Sequence, residues 1–118
     1  MLDGIRGGVI LVVIDEAPVR ARLRRQLLDG GHTVLGAGDG VEALHLVRRW
    51  NGAIDLVLSD AVLPRMPGAE LASRVGAEFP GVPVLLMSGF DPAQLDQVVT
   101  LALQHPVSPP AGAGTPAV

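Results

Sequence analysis

Hydrophobic and polar positions along this chain alternate between two periods. Short apolar runs at Val9–Ile14, His32–Ala37, Asp55–Ser59 and Pro83–Met87 have the length and β-rich content of buried strands. Between them, apolar residues recur at helical spacing: Val19, Leu23 and Leu27, then Val41, Leu44 and Val47, then Leu71 and Val75 with Phe79 beyond. The punctuation agrees with this division. Pro18 suits a first helical turn, Gly30-Gly31 and Asn51-Gly52 stop helices, and Asp91 reads as an N-cap with Pro92 behind it. The pattern predicts a second helix opening at Asp39-Gly40, a third over Gly68–Glu78 and a fourth from Asp91 to about Val99. Such alternation predicts an α/β fold, a doubly wound parallel sheet with helices on both faces.

The ending departs from that rhythm. Leu101–Gln104 fits either a fifth strand or the tail of the fourth helix. From Val107 onward, three prolines and two glycines exclude a closing helix. The predicted organisation is one domain over residues 8–106 and an irregular tail over 107–118. No internal repeat is visible.

Composition narrows the class. A chain of 118 residues, 48% hydrophobic and 18% charged, is enough for one domain with one core. The formal net charge of −3 argues against a sequence-independent grip on nucleic acid. Without cysteine there is no disulfide and no thiolate zinc site. The run at Val9–Ile14 is too short to span a bilayer and lacks a signal-peptide flank, so a cytoplasmic domain is expected. All nine basic residues are arginine, and the chain has no lysine.

Candidate chemistry gathers at the strand ends. Asp60 closes the third apolar run, just before a turn containing Pro64, Pro67 and Gly68. Asp15 and Glu16 close the first run, and Ser88 follows the fourth. In an open α/β sheet the carboxyl edge is where sites form. Two strand ends that deliver carboxylates there suggest an acidic pocket for a hard cation. The simpler readings are a surface acid or turn cap for Asp60, a helix cap for Asp15 and a solvated first-turn acid for Glu16. His32 and His45 have no partners at metal-ligand spacing and read as surface residues. Arg20, Arg22, Arg24 and Arg25 read as the solvated face of an amphipathic helix.

Taken in order, these motifs resemble a CheY-like response-regulator receiver domain, the phosphoacceptor module of two-component signalling. The resemblance runs from about Val9 to Phe90. It rests on Ile10-Leu11-Val12-Val13-Ile14-Asp15-Glu16, Gly40-Val41-Glu42-Ala43-Leu44, Asp55–Asp60 with Pro64 and Gly68, and Val84-Leu85-Leu86-Met87-Ser88-Gly89. The Met-Ser-Gly-Phe ending is similar to receivers of hybrid sensor kinases. The resemblance implies a flavodoxin-like receiver fold and a phosphoprotein that is not an enzyme in the usual sense. Asp60 would accept a phosphoryl group from a histidine kinase or phosphotransfer protein. Magnesium would be held by Asp15, Asp60 and the backbone carbonyl of Val62, and Ser88 would hydrogen-bond the phosphoryl oxygen.

The departures from the family pattern are specific. Ile14 stands where the family has the first of two adjacent acids, which should weaken magnesium binding. The family's phosphate-pairing lysine cannot exist here. The dipeptide at its place is His105-Pro106, where a histidine replaces a fixed charge poorly. His105 also reads simply as a polar residue before a proline. No aromatic residue follows Phe90, so the switch aromatic of a fifth strand is missing, and so is the fifth helix. In receivers that helix shares a sheet face with the first. Its loss predicts uncovered apolar surface beside the first helix and a route to self-association.

Three functions follow from these features: a phosphoacceptor receiver, a pseudo-receiver that binds a partner independently of phosphorylation, and a small phosphatase built on an aspartyl phosphate. The last needs a second acid two residues after the nucleophile, where Val62 stands. The abrupt ending fits either a piece of a longer chain or a degenerate receiver.

Overall fold

The computed structural model describes residues 7–88 and 92–104. The elements run β1 (Val9–Val13), α1 (Ala17–Asp29), β2 (Thr33–Ala37), α2 (Gly40–Arg49), β3 (Leu56–Asp60), α3 (Gly68–Glu78), β4 (Val84–Met87) and α4 (Pro92–Gln104). The strands form one parallel sheet in the order β2-β1-β3-β4. Parallel pairing brings all four strand ends to one edge, and each helix begins from that edge.

Strand alternation divides the core into two layers. Leu11 and Val13 of β1 and Val57 of β3 face Ala43, Leu44 and Val47 of α2 and Leu71 and Val75 of α3. Their neighbours Ile10, Val12, Leu56 and Leu58 face the other way, with Ile14, into a layer closed by Leu23 and Leu27 of α1 and Leu95 and Val99 of α4. The sheet is doubly wound, as the alternation predicts, with four helices among the described residues.

The last helix corrects one expectation. The apolar face beside α1 is covered, because α4 lies against it: Leu95 and Val99 are 1% and 0% exposed. The apolar positions Leu95, Val99, Ala102 and Leu103 form one helical stripe reaching Gln104. Leu101–Gln104 is therefore the tail of α4, and no fifth strand occurs among the described residues. The exposure moves elsewhere. On β4, Val84 packs with the α2–α3 layer, and Leu86, two residues on and on the same side, stays 36% exposed.

A second correction concerns α2. Val41 points outward, and Gly40, Ala43, Leu44 and Val47 are the buried positions. Gly40 sits so close to Met66 that a Cβ there would stand 2.7 Å from both its Cβ and its carbonyl oxygen. That close approach sets the rotation of α2 and turns Val41 to solvent. The predicted stop at Asn51-Gly52 is realised by left-handed residues, with φ of 57° and 73°.

Candidate functional site

Asp60 is the last residue of β3, paired with Met87 of β4. The Ala61 amide donates to the Met87 carbonyl at 2.9 Å, carrying the pairing one residue past the strand. Ser88, exposed, therefore leaves β4 beside Asp60-Ala61. The chain then folds back, with the Gly68 amide donating to the Ala61 carbonyl at 3.0 Å. A Cβ at Gly68 would stand 2.6 Å from the Asp60 carbonyl oxygen, so this turn requires glycine. The fully buried Ser59 hydroxyl donates to that same carbonyl at 2.8 Å. Asp60 Oδ1 accepts a hydrogen bond from the Val62 amide at 3.2 Å, and Val62 is 79% exposed.

The neighbouring strand supplies the second acid. Val13 of β1 pairs with Ser59, so Ile14 stands level with Asp60 and Asp15 comes next. Ile14 is 2% exposed, its amide donates to the Ala37 carbonyl at 3.1 Å, and its side chain belongs to the α1–α4 layer. Asp15 is exposed at the edge. Arg20 brackets it: Nη1 donates to the Ile14 carbonyl at 2.6 Å, and the Arg20 amide donates to the Glu16 carbonyl at 2.9 Å.

A third acid at this edge is structural. Asp39 caps α2 by accepting from the Glu42 amide at 2.8 Å, while Glu42 Oε1 accepts from the Gly38 amide at 2.9 Å. The other Asp39 oxygen pairs with Arg65, a residue with φ of 67° in the loop after Asp60. The Glu42 amide and then the Arg65 guanidinium hold the Asp39 carboxyl below its ordinary value. On the outside of the molecule Arg48 clamps Glu78 with two bonds of 2.7 and 2.6 Å, joining α2 to α3. Each member of that pair shifts the other toward its charged form.

The expected residues thus divide. Asp15, Asp60, Val62 and Ser88 lie at the ends of three adjacent strands. Glu16 follows Asp15 and is exposed. His105 lies outside the described residues. Ala102, near the end of α4, lines a cavity of about 210 Å³ with Leu56, Pro83, Val84 and Leu85, at the edge of the sheet opposite Asp60. Arg22, Arg24 and Arg25 are exposed as expected, but Arg20 is half-buried. His32 is also half-buried, its Nδ1 accepting from the Gly8 amide at 3.2 Å, while His45 is exposed.

Sequence reasoning missed Arg20, Ser59 and the Asp39–Arg65 pair. Only Asp39 carried a local signal, as an acid three residues before Glu42 at a helix start. Among the described residues no three His, Cys, Asp or Glu side chains gather. Asp15, Asp60 and the Val62 main chain would offer a cation two carboxylates and one carbonyl oxygen. Among the described residues neither Asp15 nor Asp60 is in an ion pair. An all-oxygen set with one or two carboxylates suits magnesium, which keeps several of its own waters.

A sheet of this order with acids at its carboxyl edge is a doubly wound fold with its candidate site where such folds place theirs. The response regulator receiver domain family matches residues 10–105, and the chain belongs to that family. It is 37% identical to Sensor kinase CckA of Brucella abortus (strain 2308) over 81 residues, covering 69% of this chain and 9% of that protein. It is 39% identical to Response regulator MprA of Mycobacterium sp. (strain KMS) over 82 residues, 70% of this chain and 35% of that protein. The chain therefore spans about a third or less of these relatives' length. The crystal structure of the receiver domain from the hybrid histidine kinase CckA superposes with a TM-score of 0.69 at 34% identity, covering 82% of this chain and all of that one. The receiver domain of a Pseudomonas aeruginosa sensor histidine kinase, solved with magnesium coordinated in its active site cleft, shares the fold, with a TM-score of 0.73 at 20% identity over 83% of this chain and 98% of that one.

Proposed function

We propose that this domain is a phosphoacceptor receiver acting in the cytoplasm, and that phosphate on Asp60 switches a partner or an attached domain. The observation that carries the reading is the placement of Asp60 between Asp15 and Ser88, at the ends of β3, β1 and β4. A carboxylate oxygen of Asp60 attacks the phosphorus of a phosphohistidine on a kinase or phosphotransfer protein. The N–P bond breaks, its electron pair stays on the imidazole, and Asp60 becomes an acyl phosphate. Asp15, Asp60 and the Val62 carbonyl would hold magnesium, which when bound offsets the repulsion between the incoming phosphoryl oxygens and the carboxylate. The Ser88 hydroxyl then donates to a phosphoryl oxygen. The Gly68 turn and the bond from Ser59 fix the main chain from which Asp60 projects. The domain is consumed and regenerated as an acceptor and is not an enzyme with a turnover substrate. Incubation with acetyl phosphate and magnesium should add one phosphoryl mass to the wild type and none to Asp60→Ala. A mass shift that persists in Asp60→Ala, or no shift and no beryllofluoride binding by the wild type, sinks the reading.

A second reading, the pseudo-receiver, is favoured by Ile14, a core residue where the family has an acid, in a chain without lysine. It expects negligible affinity at millimolar magnesium and partner binding unchanged by Asp60→Asn. Partner binding that depends on acetyl phosphate would rule it out.

A further inference from the structure

We infer that Arg20 is a positioning residue whose side chain holds the Ile14 carbonyl, immediately before Asp15, and so sets the place of that acid at the end of β1. The inference deepens the proposed magnesium site and rests on it. Three observations carry it. The guanidinium of Arg20 reaches back over the first turn of α1 to the Ile14 carbonyl at 2.6 Å, while the Glu16 carbonyl is held by the first main-chain bond of the helix, from the Arg20 amide at 2.9 Å. Asp15 is the single residue between those two held carbonyls. The strand side is fixed as well, because the Ile14 amide is bonded to Ala37 and the Ile14 side chain is buried.

The arginine stem has a track prepared for it. A Cβ at Gly36 of β2 would stand 3.5 Å from Arg20 Cδ, and one at Gly38 would stand 3.5 Å from Nη1. Both are ordinary contact distances, so the side chain runs along Gly36 and Gly38 toward the end of β1, and a branch beyond Cβ at Gly36 would crowd it. A donor carried on a helix and half-buried against β2 is suited to orienting a neighbouring ligand, the role that outer partners play around metal sites. With Ile14 in place of an acid, the only other carboxylate beside Asp15 in the chain is Glu16, in the turn that enters α1.

The sign of the effect separates positioning from charge. Arg20 carries a positive charge near the acids, so simple electrostatics has Arg20→Met tightening a cation. Positioning has the same change weakening it, by about tenfold as for other outer partners of metal ligands. The experiment compares wild type, Arg20→Met, Arg20→Lys and Gly36→Val. Gly36→Val crowds the arginine stem from β2 without altering any group at the site. Asp15 and Glu16 amide order parameters are measured without metal, and magnesium affinity is then measured by titration, with thermal unfolding recorded for each variant.

The expected result is loss of Asp15 order and about tenfold weaker magnesium binding in Arg20→Met. Gly36→Val should reproduce both effects, and Arg20→Lys should restore part of each. Unchanged Asp15 order in folded Arg20→Met, or tighter magnesium binding there, overturns the inference. Loss of order in a protein whose wild type takes no magnesium supports the clamp and sinks the magnesium reading alone.

Discussion

The guanidinium of Arg65 closes on the carboxylate of Asp39, so the loop that follows Asp60 is tied to the first turn of α2. The same carboxylate caps that helix. One buried acid thus connects the end of β2, the helix after it and the loop beside the candidate phosphoacceptor.

Asp39→Ala should lower stability by about 1 kcal/mol, the usual cost of a lost N-cap. Arg65→Ala should cost less, because the Arg65 side chain is 67% exposed. The pH dependence follows from the lowered Asp39 value. Its stabilisation is complete above the ordinary value of 3.8 and is lost as pH falls through the lower folded value. Denaturant titrations should show the advantage of wild type over Asp39→Asn shrinking on that acid side and flat at neutral pH.

Gly68→Ala should act on the site through the backbone. The added carbon meets the Asp60 carbonyl at 2.6 Å, so the turn must open. A stability loss of about 1–3 kcal/mol is expected from overpacking, together with reduced beryllofluoride binding. Gly76→Ala, later in α3 with open space around the added carbon, is the control: it should raise stability by about 0.5–1 kcal/mol and leave beryllofluoride binding unchanged.

Leu95→Ala tests the placement of α4. Removal of this 1% exposed side chain from the layer shared with α1 should cost about 2–5 kcal/mol by chemical denaturation. Leu101→Ala, at a 52% exposed position of the same helix, should cost far less. Equal effects from the two would contradict the packing of α4 beside α1.

Ile14→Asp should make stability depend on magnesium. The new carboxylate enters a position that is 2% exposed and lies against an apolar layer, so the melting temperature without metal should fall. If the acid helps to hold magnesium, added metal returns part of the loss by mass action, and wild type shifts less. A variant whose melting temperature ignores magnesium would count against the metal site.

Much of this was legible in the chain because it is local. The third helix occupies Gly68–Glu78 as its spacing predicts, and Leu23 and Leu27 are buried as the first helix requires. Asp60 sits at a strand end because an apolar run stops there. What escaped was set by contacts distant in sequence. The stripe on α4 shows that one face is buried, but periodicity does not say which side of the sheet receives it. Val41 and Leu44 share a spacing, yet Gly40 against Met66 decides the rotation of α2. Arg20 reads as one more arginine among four until the fold brings the Ile14 carbonyl within its reach.

The all-parallel sheet has an electrostatic corollary. Since the strands share one direction, α1, α2, α3 and α4 each begin at the edge that carries Asp60. Each contributes the positive end of a macrodipole, roughly half an elementary charge, with its influence confined to the first turn. In a chain without lysine, these oriented backbone amides form a background field that no single substitution can remove, and it favours an anion at the end of β3 over one at the opposite edge.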